Sequence, residues 1–165
     1  MTVSEQENIF DQWLRDYKGL FFKVMRAYAF TEMDRDDLFQ EIAIQSWHSI
    51  PSFKNESAPS TWLYRVAINT AIKWSQKEKK HRKANDTLEA VQYILRDTGP
   101  PMDERLAWLY EEIATLNEVD RSITLLLLEG LSYKEMATIL GISESNVGVK
   151  INRIKKHLSE KSKKN

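Results

Sequence analysis

Carboxylates crowd one short stretch of the chain, at Asp34, Asp36, Asp37 and Glu41, with Gln40 among them. Acids at that spacing suit Mg²⁺ or Mn²⁺ and metal-assisted hydrolysis. The rest of that machinery is missing: no second ligand set, His partner or Gly-rich phosphate loop accompanies them. Asp36 and Asp37 are adjacent, so on a helix they do not converge on one face. Two plainer readings stand beside catalysis. The acids are solvated and favoured by the positive end of a helix dipole, or they form a docking surface for a basic partner helix. His48, His81 and His157 are scattered, and there is no Cys. That excludes thiolate metal sites, disulfides and a Cys nucleophile. No catalytic group, metal or cofactor is expected.

A second constellation mixes rings and cations. The segment STWLYRVAINTAIKWSQKEKKHRK sets Trp62, Tyr64 and Trp74 among Lys and Arg. Arg65, Asn69, Ile72, Lys73 and Gln76 recur at helical spacing on one face. Rings stack unpaired bases and cations hold the backbone, which is what single-stranded nucleic acid requires. Trp62, Val66 and Trp74 read as well as core residues. The loop before this helix, Phe53-Lys54-Asn55-Glu56-Ser57, is placed to form a pocket beside it.

The third pattern is a helix-turn-helix over SYKEMATILGISESNVGVKINRIKKHL. Ser132 suits the N-cap of the first helix, and Met136, Ala137, Ile139 and Leu140 give it an apolar face. Gly141 stands where the turn needs a positive φ. Ser143 suits the next cap, and Val147, Ile151, Ile154 and Leu158 face inward. The opposite face carries Ser145, Asn146, Val149, Lys150, Asn152, Arg153 and Lys156. Such a helix enters the major groove N-terminus first. There Arg and Lys reach guanine, Asn pairs with adenine and Val149 meets a thymine methyl. Lys155, Lys156 and the tail suit phosphates. The plain alternative is an antiparallel helix pair with a basic exterior.

The elements that must position these residues are helical. The chain has 165 residues, 42% hydrophobic and 29% charged, with five Gly and four Pro. That is one ordinary domain or two small ones with a buried core, and it disfavours an all-β chain. No apolar run approaches a membrane span, so no membrane insertion is expected. Met1 to Phe10 is polar and unlike a secretory signal, which points to a cytoplasmic protein. One amphipathic helix is expected over Ile9 to Ala29, broken near Gly19. A second over Asp34 to Ile50, capped by Asp34, carries Leu38, Ile42, Ile44 and Trp47 and stops at Pro51. A third starts at a Ser60 or Thr61 cap and runs to about Lys80. Residues 84–103 read as a linker, with a helical stretch at 87–96 and Gly99-Pro100-Pro101 near its end. Further helices are expected at about 103–116, 118–129, 132–140 and 143–159, followed by a frayed tail from Lys161. Charge alternates along the chain. Residues 1–60 carry a net −4, 61–84 +6, 85–131 −7 and 132–165 +5, giving zero overall. The two basic zones suggest two anion-facing surfaces.

The acidic helix DRDDLFQEIAIQSWHSIPSF, the basic aromatic helix, a linker and a C-terminal helix-turn-helix, in that order, resemble bacterial RNA polymerase sigma factors. The match is to the extracytoplasmic-function (ECF) group, which keeps only sigma regions two and four. The resemblance implies an all-α chain of two small helical domains, 1–83 (region two) and 104–165 (region four), joined by the linker. It implies binding to core RNA polymerase through Asp36, Asp37, Gln40, Glu41 and Trp47. It assigns the unpaired −10 strand to Phe53, Lys54, Asn55, Trp62, Arg65, Asn69 and Lys73. It assigns the −35 duplex to Ser145, Asn146, Val149, Lys150, Arg153 and Lys156. The partners implied are core polymerase, promoter DNA and, as is common in the group, an anti-sigma factor. The recognition helix departs from the family's frequent Gly-Thr-Val opening, reading Ser145-Asn146-Val147-Gly148-Val149-Lys150. Three other readings are a stand-alone helix-turn-helix regulator, a metal-dependent nuclease, and a sigma-like module that only makes contacts.

Overall fold

The computed structural model describes residues 1–79 and 103–163, and its regular elements there are all helical. The helical stretch expected at 87–96 lies outside these residues. The chain divides into two compact units, Met1–Ile94 and Leu95–Asn165. No helix among the described residues is long and apolar enough to cross a membrane.

The first unit contains α1 (Val3–Asp16), α2 (Lys18–Tyr28), α3 (Glu32–Ser49), a 3₁₀ turn (Ile50–Ser52) and α4 (Pro59–Lys79). A reciprocal cap opens α1: the Thr2 hydroxyl accepts from the Glu5 N–H at 3.2 Å, and the Glu5 carboxylate accepts from the Thr2 N–H at 2.8 Å. The hydrogen bond from the Thr2 backbone, and then that from its side chain, holds the Glu5 carboxyl below its ordinary value. The expected single helix over 9–29 is two helices, and the break falls at Tyr17 (φ −116°, ψ 25°) rather than Gly19. The reason is packing. α1 lies against α2, α3 and the 3₁₀ turn, whereas α2 lies mainly on α4 and α3, so one straight rod cannot serve both.

The cap of α3 is also corrected. Thr31 is the extended N-cap, and its hydroxyl accepts from the Asp34 N–H at 3.1 Å. Asp34 is instead a buried residue of the first turn. α4 begins at Pro59, earlier than a Ser60 cap, with the Trp62 N–H bonded to the Ala58 carbonyl at 3.2 Å. Proline suits a first helical position because its missing donor has no partner there. Leu63, Tyr64, Ala67, Ile68, Ala71 and Trp74 form the buried stripe of α4. α4 packs against α3, whose buried residues include Leu38 and Ile42, and against α2. Each fully buried Leu or Ile contributes roughly 1.5–3 kcal/mol.

The second unit contains α5 (Glu104–Thr115), α6 (Glu118–Leu128), α7 (Tyr133–Leu140) and α8 (Glu144–Lys163). α8 runs through Lys163, past the point where a frayed tail was expected. Ser132 caps α7, accepting from the Glu135 N–H at 3.1 Å. Gly141 ends α7 in the left-handed region (φ 69°, ψ 32°), with its N–H and that of Ile142 both bonded to the Ala137 carbonyl. The Ser143 hydroxyl then accepts from the Asn146 N–H at 3.1 Å and caps α8. Met136, Ile139, Val147, Ile151 and Ile154 are buried together with Ile123, Leu125 and Leu126 of α6. Leu158 is half-buried.

Two glycine substitutions test this geometry. Gly141→Ala forces an L side chain into the left-handed region and is expected to cost about 1–2 kcal/mol. Gly148→Ala places a Cβ 3.5 Å from Tyr133 Cε2, an ordinary contact. It is expected to stabilise α8 by about 0.5–1 kcal/mol through helix propensity. Thermal melting should therefore move in opposite directions for the two variants.

Candidate polymerase and promoter surfaces

On α3 the buried stripe Asp34, Leu38, Ile42 and Ser46 leaves the other side exposed. That side carries Asp36, Asp37, Gln40 and Glu41. Two apolar residues lie among the acids: Met33 is 81% exposed and Ile44 49%. Ile44 therefore does not join Leu38 and Ile42. It stands two residues from Ile42, about 200° round the helix. The resulting strip is acidic and apolar together, and it adds Met33 and Ile44 to the Asp36, Asp37, Gln40 and Glu41 expected from the sequence. Trp47 is half-buried under α1, with its ring edge-on to Phe10 at 5.5 Å and its carbonyl accepting from Gln6 Nε2 at 2.8 Å.

Asp37 has a second engagement. Its Oδ2 accepts from Trp74 Nε1 of α4 at 2.8 Å. Trp74 is thus a core residue, and it ties the acidic helix to the basic one. The two helices border a groove of about 550 Å³. Asp37, Glu41 and His48 line it from α3; Asn69, Lys73 and Lys77 line it from α4. Among the described residues, no three His, Asp or Glu side chains group closely enough to hold a metal ion.

Arg65, Asn69 and Lys73 are exposed on the outward face of α4. Trp62 starts on the same side but is half-buried, because the loop folds onto it. Phe53 lies between two indoles, 5.4 Å from Trp13 and 5.5 Å from Trp62. Trp62 Nε1 donates to Ser49 Oγ at 3.0 Å, and that hydroxyl donates to the Ser46 carbonyl at 2.8 Å. Phe53 and Trp62 therefore anchor the loop, while Lys54 and Asn55 stay exposed beyond the anchor. Asn55 adopts φ 58°, a left-handed turn that Asn tolerates better than most residues. Ser49 was missed in the sequence; nothing in its spacing from Trp62 signals the bond.

In the second unit α8 buries Val147, Ile151 and Ile154. Ser145, Asn146, Val149, Asn152, Arg153 and Lys156 are exposed, Val149 by 55%. Lys150 differs. It is half-buried on the flank facing α6, with Nζ 3.7 Å from Asp120 Oδ1. The other Asp120 oxygen accepts from Asn117 Nδ2 at 3.1 Å, and Asn117 Oδ1 accepts from the Asp120 N–H at 2.9 Å. Arg121 is buried beside this pair, and its Nη2 donates to the Ala114 and Leu116 carbonyls at 2.9 and 3.0 Å. That satisfies carbonyls at the C-terminal end of α5. Asn117, Asp120 and Arg121 lie in the acidic block 85–131, where no sequence motif singles them out.

Phe53→Ala should remove the loop anchor at a cost of about 2 kcal/mol, below the full value for a wholly buried ring. Hydrogen exchange should then quicken at residues 53–58 and stay unchanged along α8. Unchanged exchange in the loop would show that the ring contacts do not hold it.

Comparison with known proteins bears on the family and the fold. The family model described as Sigma-70 region 2 matches residues 13–81, and that described as Sigma-70, region 4 matches residues 106–158. The chain is 35% identical over 140 residues to the ECF RNA polymerase sigma-E factor of Haemophilus influenzae, covering 78% of this chain and 74% of the relative. It is 32% identical over 140 residues to the protein of the same name from Escherichia coli K12, covering 78% and 73%. Among solved structures, it resembles CnrH in complex with the cytosolic domain of CnrY, with TM-score 0.67 and 21% identity over 96% of this chain and 90% of the other. It also resembles the sigma factor RpoE from Bartonella quintana in complex with the anti-sigma factor NepR, with TM-score 0.68 and 18% identity over 92% and 94%. These two likenesses bear on the fold. With both sigma regions matched in order and relatives above 30% identity, the chain belongs to the sigma-70 family of RNA polymerase sigma factors, in its extracytoplasmic-function group.

Proposed function

We propose that this sigma factor docks on core polymerase through α3 and reads promoter DNA through two separate surfaces. The observation that carries the reading is the outer face of α8. Behind a helix-turn-helix closed by Gly141, that face presents Ser145, Val149, Asn152, Arg153 and Lys156 opposite the buried Val147, Ile151 and Ile154. These side chains suit the −35 duplex, with Arg153 on base edges and Lys156 on phosphate. Asn146 and Lys150 flank the same face.

The first unit takes the −10 strand. Lys54 and Asn55 of the anchored loop, with Arg65, Asn69 and Lys73 of α4, supply donors and charge for an unpaired strand. Phe53 and Trp62 act there chiefly as the anchor. Flipped bases that settle in this surface offset the few kcal/mol lost per unstacked pair. The docking strip joins Asp36, Asp37, Gln40 and Glu41 to Met33 and Ile44, so it offers a basic, partly apolar helix both charge and area. Trp47 steadies that strip from beneath α1. The protein catalyses no reaction of its own and works in the cytoplasm with polymerase. An anti-sigma factor, the kind of partner named for the Bartonella quintana structure, is the inhibitor expected for it.

Run-off transcription from a promoter library tests this directly. Core polymerase with the chain should give start-specific transcripts, and Arg153→Ala with Lys156→Ala should lower them about tenfold or more. A chain that fails to bind core polymerase contradicts the proposal.

A further inference from the structure

Lys150 flanks the proposed −35 face, yet its ammonium is already paired with a carboxylate of the protein. Nζ lies 3.7 Å from Asp120 Oδ1, and both side chains are only about a quarter exposed, at 22% and 25%. Asp120 is itself fixed. Asn117 bonds its second carboxylate oxygen at 3.1 Å and its backbone N–H at 2.9 Å. A chain of contacts therefore runs from the N-cap of α6 to the flank of α8.

We infer that Asp120 is a positioning residue for promoter discrimination: with Asn117 it holds the Lys150 ammonium at one point beside the reading face of α8. The inference rests on that face reading the −35 duplex. An unheld lysine is a compact charge on a flexible stem. Such a charge settles on any nearby phosphate, which adds affinity without sequence information. An ammonium paired in this way follows the backbone less readily. Its N–H groups stay available, and they donate best where a base edge brings an acceptor to that point. The Asp120 carboxylate also offsets the lysine charge and repels phosphate that approaches from the α6 side.

The test uses the full chain bound to core polymerase. Two duplexes compete across a salt series, one carrying the −35 element found by aligning run-off starts and one with that element scrambled. For Asp120→Asn, affinity for the scrambled duplex should rise, and its log affinity against log salt should steepen by about 0.9, one further phosphate contact. The preference for the true element should fall about fivefold, the lower end of what one base-edge contact discriminates. In a Lys150→Ala background the Asp120→Asn change should do neither, because it acts only through that ammonium. Lys150→Gln serves if Asp120→Asn fails to fold. It should lose the same preference without steepening the salt dependence.

An unchanged preference and slope in Asp120→Asn overturn the inference, as does full preference in Lys150→Gln. An effect of equal size in the Lys150→Ala background assigns Asp120 a purely structural role and overturns it too. A wild-type chain with no preference between the duplexes removes the −35 reading itself, and the inference with it.

Discussion

Burying one stripe of a helix forces the opposite stripe to face outward, and both units are organised by that constraint. In α4 the stripe from Leu63 to Trp74 is held against α2 and α3. Arg65, Asn69 and Lys73 are left on the outside, a third of a turn to half a turn away. In α8 the stripe Val147, Ile151 and Ile154 does the same for Ser145, Val149, Asn152 and Lys156. The hydrophobic effect has no direction of its own, but helical periodicity gives it one. Polar contacts then refine the placement. The Trp74 bond to Asp37 and the Lys150 pair with Asp120 each tie an outward residue to a neighbouring helix.

The readable parts of the fold were those encoded locally. Gly141, Ser132 and Ser143 occupy the turn and caps that their types imply, because a positive φ or a cap bond depends on a few neighbouring residues. Periodicity likewise identified Val147, Ile151 and Ile154 as inward. The errors came where local signals competed with distant packing. Gly19 is the weaker helix former, yet the chain breaks at Tyr17 because α1 and α2 have different neighbours. Asp34 and Thr31 both suit a cap, and Thr31 takes the position with Asp34 in the first turn. Ile44 reads as core by type and is exposed by phase.

The candidate surfaces were legible as lists of residues but not as arrangements. Periodicity grouped Arg65, Asn69 and Lys73 on one face. It could not say that Phe53 spends its ring on Trp62 and Trp13, leaving Lys54 and Asn55 among the loop's exposed residues. Nor could it say that Lys150 is paired while Arg153 and Lys156 are exposed, since the pair spans thirty residues. Such contacts exist only once helices distant in sequence pack together.

Zero net charge, arranged in alternating acidic and basic blocks, suits a protein that meets DNA weakly alone and strongly on polymerase. The central claim is that the chain opens promoter DNA by capturing unpaired bases when it is bound to core polymerase. Permanganate reactivity of thymines around the −10 element measures this most directly, at a promoter whose start has been mapped. The account predicts reactive thymines only when the chain and core polymerase are both present, and their loss in a variant with Asn69→Ala and Lys73→Ala. Thymines that stay protected with both present, or that open with core polymerase alone, would contradict it.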